Sequence, residues 1–219
     1  MSSDSGNINV AKPSIVVSGF EEPRGRIADR ALFLKKFLAK GRVISSAIPS
    51  SRAMVKSVLK HVDFSRPATI VELGAGIGQV TAEIVERIGP HHRFVAVEND
   101  PDFCAVLRRR FSGLSILQAD ATRIAEPLAG LGIRQVDYVL SGLPTSNLPL
   151  RALARLRQWL RTALTPDGLF IQITVAPLLY RGLYKRMFES VNYRMVWWNL
   201  PPGGVYECSM RTGQNGRSA

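Results

Sequence analysis

The sequence predicts one α/β domain: a mostly parallel sheet of seven strands, wound with helices and closed by a terminal antiparallel hairpin. Two observations carry this. Short apolar runs alternate with amphipathic segments five times between residues 69 and 190. The stretch "YRMVWWNLPPGGVYECSM" (193–210) then reads as two strands joined around 201–204. With 219 residues, 46% of them hydrophobic, the chain suffices for one full core, and no repeat or second domain is visible.

In chain order, residues 1–24 contain Ser, Gly and Pro without a period and are expected to be disordered. "RIADRALFLKKFLAK" (26–40) places Ile27, Ala31, Leu34 and Leu38 at helical spacing, widened by Phe33 and Phe37. Arg26, Arg30, Lys35, Lys36 and Lys40 fill the opposite side, and Gly41 suits a helix end. This basic amphipathic helix, assigned to 25–45, would either dock on the core or lie on a membrane. The main domain is assigned to 46–211 and a disordered tail to 212–219. Its first helix lies within 47–63, capped by Ser50 or Ser51, with Met54, Val55, Val58 and Leu59 inward. Strands follow at 69–73, 93–100, 114–120 and 135–143, with a fifth after the turn in "TPDGLFIQITVA". Helices are expected at 79–88, 101–111, 148–164 and 179–190.

Lys and Arg number 29 against 17 acidic residues, a net charge of +12. That balance favours an anionic partner, either nucleic acid or an acidic membrane surface. No apolar run reaches the roughly 18 residues that cross a bilayer, and the first residues lack the pattern of a secretory signal. Cys104 and Cys208 are expected as two buried thiols. No metal-ligand spacing is present, so His61, His91 and His92 read as surface or structural residues.

"VELGAGIG" puts Gly74, Gly76 and Gly78 between a strand and a helix, where missing side chains let the backbone approach a ligand. Glu72 precedes the turn, and Glu98 ends the next strand about 20 residues on, placed to accept ribose hydroxyls. The plainer reading of Glu98 is an acid near a helix start. NAD is the competing ligand, but the glycine spacing differs from the dinucleotide pattern, and "QADAT" (118–122) places an acid where an adenine amino group would sit. With these three motifs the chain resembles the class I methyltransferases that use S-adenosylmethionine, a Rossmann-like fold. The resemblance implies that Gly74, Gly76 and Gly78 line the methionine and ribose side. It implies that Glu72 orients the loop or meets the methionine amino group, and that Glu98 holds the ribose. Asn99 would flank the adenine, with Asp120 and Ala121 in contact with it.

Three further stretches narrow the resemblance: "FLKKFLAKGRVISSAIPSSRAM" before the glycine turn, "LSGLP" after the fourth strand and "NLPPGGVY" in the hairpin. They look like bacterial phospholipid N-methyltransferases, relatives of the ribosomal RNA adenine dimethylases. That implies methylation of the amine of phosphatidylethanolamine or ornithine lipid, in successive steps in some members. It implies a membrane-binding helix using Phe33, Lys35, Lys36, Phe37 and Lys40, and a cytoplasmic monomer bound peripherally to an anionic inner membrane face, with no metal and no nucleic-acid partner. Ser141, Gly142, Leu143 and Pro144 of "SGLPTSNLPL" would aim the amine. Ser50, Ser51 and Arg52, the segment "YRGLYKR" (Tyr180, Arg181, Gly182, Lys185, Arg186) and Tyr206 are candidate head-group anchors.

The main rival is a nucleic-acid adenine N-methyltransferase, which would carry an aromatic residue after Pro144 to stack on a flipped base; this chain has Thr145. A silent lipid- or RNA-binding module would not need the glycines and Glu98. A soluble small-molecule methyltransferase would leave the basic helix without a purpose.

Overall fold

The five parallel strands of the computed structural model are β1 (Thr69–Leu73), β2 (Arg93–Glu98), β3 (Ser115–Gln118), β4 (Val136–Ser141) and β5 (Leu164–Thr174). β6 (Ser190–Val196) and β7 (Gly203–Ser209) complete a seven-stranded sheet of order β3-β2-β1-β4-β5-β7-β6. β7 runs antiparallel to β5, and β6 antiparallel to β7. The expected fold class is therefore the observed one. The structure describes residues 51–174, 177–199 and 202–211; the segments assigned to 1–24, 25–45 and 212–219 lie outside them.

β1, β2 and β4 are apolar runs because a parallel sheet is covered on both faces. One face packs Val71, Val95, Val139 and Phe170 under α5 (Leu150–Ala163), which contributes Leu153, Leu156, Trp159 and Leu160. The other packs Ile70, Phe94, Ala96 and Ile171 under α1 (Arg52–Leu59), which inserts Met54, Val55, Val58 and Leu59. Of the two candidate caps for α1, Ser51 is the one seen: its hydroxyl accepts the Met54 N–H at 3.2 Å. α2 (Gln79–Val85) follows the glycine turn, and α3 (Pro101–Arg110) starts with Asp100 as N-cap and proline in its first position. α6 (Pro177–Met187) leads from β5 into the hairpin.

Two details differ from the sequence reading. A short helix, α4 (Ala125–Gly130), lies where the sequence predicts none; its Pro127 sits in the first turn, where a missing N–H removes no intrahelical bond. Gly203 and Gly204 are not the hairpin joint but the first residues of β7. They are glycines for space: a Cβ on Gly203 would lie 2.7 Å from both Met54 Cε and the Thr174 carbonyl oxygen, and one on Gly204 would collide with the Tyr193 ring.

Candidate active site

In this sheet, β1 is flanked by β2 on one side and β4 on the other, so the chain reverses direction across the sheet beside it. The carboxyl ends of β1 and β4 therefore border the crevice where open α/β sheets take their ligands. The loop after β1 fills one wall. Gly74, Gly76 and Gly78 all have positive φ, at 75°, 57° and 82°. The Gly74 and Ala75 N–H groups both donate to the Val97 carbonyl, at 2.8 and 3.1 Å, which pins the loop across β2. Arg110 of α3 donates to the Ile77 carbonyl. A Cβ on Gly76 would meet nothing within 4 Å, so this glycine borders open space. On Gly78 it would lie 2.5 Å from Phe111 Cε2 and 2.7 Å from Leu107 Cδ2, so that glycine is packed against α3.

The acids divide by environment. Glu72 is buried at 4% exposure, and its carboxyl accepts the Thr81 hydroxyl at 2.7 Å. Burial pushes its pKa up to about 8, and the hydroxyl opposes the shift. Glu98 is half-buried and bridges two segments: Oε2 accepts the Gly76 N–H at 2.8 Å, while Oε1 accepts those of Asn99 and Asp100 at 2.8 and 2.9 Å. Asn99 is exposed just beyond it. Asp120, also exposed, caps a 3₁₀ turn over Ala121–Arg123 by accepting the Thr122 N–H, and Ala121 is buried behind it. Ala119 N–H donates to the Glu98 carbonyl, so the ends of β2 and β3 lie side by side. Open space beside Gly76, with Glu98, Asn99 and Asp120 ranged along the next two strand ends, suits a ligand that carries a ribose and an adenine.

The acceptor candidates meet this wall directly. Ser141 is buried between Leu73 of β1 and Gln172 of β5. Its hydroxyl accepts the Leu143 N–H at 3.3 Å, so its visible role is to shape the turn. Gly142 N–H donates to the Leu73 carbonyl at 2.9 Å, and a Cβ on Gly142 would lie 3.1 Å from the Gly74 carbonyl oxygen. Leu143 and Pro144 are half-buried. Thr145, the residue after the proline, turns inward and hydrogen-bonds to the Tyr184 hydroxyl. Sequence reading missed Gln172, a polar residue inside an apolar strand. Its amide donates to the Leu143 carbonyl at 2.9 Å and the Ile173 carbonyl at 2.7 Å, tying the loop after β4 to β5. Its presence in "LFIQITV" was the available signal.

The head-group candidates are less unified. Ser50 lies outside the described residues. Ser51 N–H donates to Asn199 Oδ1 at 3.1 Å, which brings the start of α1 to the β6–β7 loop; Arg52 beside it is exposed. Tyr180 and Arg181 lie early in α6, near the carboxyl end of β5, while Lys185 and Arg186 sit more than a turn further along. Tyr206 is buried at 1%, with its ring between those of Tyr184 and Tyr193 at 4.5 and 4.9 Å. Cys104 and Cys208 are buried free thiols. Among the described residues, no His/Cys/Asp/Glu group could hold a metal ion, and no helix is long and apolar enough to cross a membrane.

The ribosomal RNA adenine dimethylase family model matches residues 44–128. The ornithine lipid N-methyltransferase of Singulisphaera acidiphila is 36% identical over 183 residues, covering 82% of this chain and 95% of that protein. A probable ribosomal RNA small subunit methyltransferase A of Methanosarcina mazei is 29% identical over 116 residues, 52% of this chain and 39% of its own length. A TehB-like SAM-dependent methyltransferase from Corynebacterium glutamicum shares the fold with a TM-score of 0.57 at 13% identity, over 86% of this chain and 100% of that one. The cofactor is S-adenosylmethionine. The chain belongs to the family of S-adenosylmethionine-dependent N-methyltransferases that includes the Singulisphaera enzyme.

Proposed function

We propose that this enzyme methylates the head-group amine of a membrane aminolipid, ornithine lipid or phosphatidylethanolamine, in one or successive steps. It would work as a monomer bound peripherally to the inner face of the membrane. The observation that carries the reading is the seating of Gly142 and Leu143 against Gly74, which puts the acceptor loop beside the cofactor loop. The similar Singulisphaera protein, an ornithine lipid N-methyltransferase, supplies the substrate class. The adenine-dimethylase model stops at residue 128, before the acceptor loop, so it speaks to the cofactor half alone. Thr145, where a base methylase would need a stacking ring, is spent on a buried bond to Tyr184.

When bound, S-adenosylmethionine supplies an activated methyl group with its own leaving group, so alignment matters more than acid–base help. In this reading Glu98 holds the ribose, Asn99, Asp120 and Ala121 border the adenine, and Glu72 orients the glycine loop through Thr81. A Lys-like amine costs about 4–5 kcal/mol to deprotonate at pH 7. Removal from water beside a second cation lowers that cost. The Leu143 carbonyl accepts both the Gln172 amide and the Thr145 N–H, at 2.9 and 2.8 Å, so its role in this reading is to hold the Ser141–Pro144 loop in the shape that aims the amine. Arg52 and Arg181 suit the carboxylate or phosphate next to that amine.

The test is mass spectrometry of lipid recovered from vesicles of ornithine lipid or phosphatidylethanolamine after incubation with the full chain and methyl-labelled cofactor. Methyl-mass increments on the aminolipid are expected, and their number gives the methyl count. Transfer to RNA with none to lipid would sink the reading.

A further inference from the structure

Large apolar side chains on a soluble surface are ordinarily scattered. Among the described residues the large exposed ones are Leu131, Leu150, Trp197 and Trp198, and three of these four share one end of the molecule. Trp197 and Trp198, 70% and 88% exposed, form the tip between β6 and β7. Gly204 pairs with Thr174, so the tip projects from the carboxyl end of β5. Leu150, 83% exposed, opens α5 straight after the acceptor loop at the carboxyl end of β4. Only Leu131 lies at the opposite end, where the chain enters β4.

The tip is not a loose strand end. Asn199, the next residue, is buried at 6% and accepts the Ser51 N–H, and β6 and β7 pair up to Val196 and Gly203. Two tryptophans are thus held out in water by a built clamp, which costs apolar hydration that a bare turn would avoid. Exposed Arg52, Arg151 and Arg181 share this side of the sheet end. Of the acidic residues at the same end, Glu72 is buried, and Glu98, Asp100, Asp102 and Asp120 stand across the crevice at the ends of β2 and β3.

We infer that the Trp197–Trp198 tip, with Leu150, seats in the interfacial layer of an anionic lipid bilayer and sets the mouth of the crevice against it. Indole rings favour that layer, where the ring body is apolar and its N–H stays wet. The surrounding arginines match anionic head groups. An aminolipid could then reach Leu143 without leaving the membrane. The choice of a bilayer as partner rests on the aminolipid reading above.

The test uses the full chain with vesicles of phosphatidylglycerol and phosphatidylethanolamine. Trp159 is buried, so changes in tryptophan emission report the tip. A blue shift, with quenching by lipids brominated near the head groups, is expected. Trp197→Ala/Trp198→Ala should weaken vesicle partitioning about tenfold, and Trp197→Phe/Trp198→Phe should retain most of it. Methylation of a short-chain, water-soluble aminolipid should be unchanged in both variants. Emission that stays fixed while the protein binds vesicles would overturn the inference. So would equal partitioning of the Ala variant, or a shift that follows RNA or protein concentration instead of lipid. Partitioning through the tip without lipid methylation would remove the substrate reading and leave the tip standing.

Discussion

Gly76 and Gly78 have similar backbones and opposite surroundings, and the difference is testable one residue at a time. Gly78→Ala meets both left-handed strain and the Phe111 and Leu107 side chains, for a combined cost of about 2–5 kcal/mol. Gly76→Ala meets strain alone, about 1–2 kcal/mol, but its methyl enters the ligand space. Chemical denaturation should show the larger loss for Gly78→Ala. Calorimetric titration with S-adenosylmethionine should show at least about a tenfold loss for Gly76→Ala, out of proportion to its stability. The sequence displays three glycines and cannot distinguish them, because Phe111 and Leu107 arrive from a helix about thirty residues away. Gln172 was hidden for the same reason: its partners follow from the β4–β5 register, which no local pattern encodes.

At the scale of elements, α3 shows how a cap serves the site. Asp100 accepts the N–H groups of Asp102 and Phe103 at 2.9 and 3.4 Å, and Pro101 sets the first turn. That helix carries Leu107, which with Phe111 backs Gly78. Asp100→Ala should cost about 1 kcal/mol. For a chain of this size that lowers the melting temperature by about 2–4 °C, readable by scanning calorimetry. Strands and long helices were legible because apolar periods survive any register. The α4 helix and the joint of the hairpin were not. A proline reads as a breaker until its position in the turn is known, and Gly203–Gly204 reads as a turn until Met54 and Tyr193 are seen pressing on it.

Over the whole molecule, two acids shape stability against pH from opposite sides. Glu72 has its folded pKa raised from 4.5 to about 8 by burial. The native state then holds a proton that the unfolded chain releases, and stability falls as pH rises between those values. The slope from this group is at most about 1.4 kcal/mol per pH unit. Glu207 is the reverse: its bond to His61 holds its pKa below the usual carboxylate value. The stability it contributes is present above that usual value and disappears as pH falls through the depressed one. Melting curves from pH 5 to 8 should show Glu72→Gln gaining steadily on the parent chain, with the gap constant above about pH 8. A gap that does not change with pH would refute the buried proton. The basic balance of the chain was plain in its composition, but its arrangement around one end of the sheet was not. Arg52, Arg151 and Arg181 come from three separate helices that only the fold gathers.

The bond between Ser51 N–H and Asn199 fixes where the chain enters the domain: beside the hairpin tip, at the end of the sheet that carries the glycine loop. Ser51, to which residues 1–50 are joined, therefore stands at the mouth of the crevice and not at its back. A surface bound by residues joined at Ser51 would be brought close to the loop Ser141–Pro144 by the same attachment. If that surface is the membrane proposed above, substrate supply would depend on lateral diffusion and not on three-dimensional search.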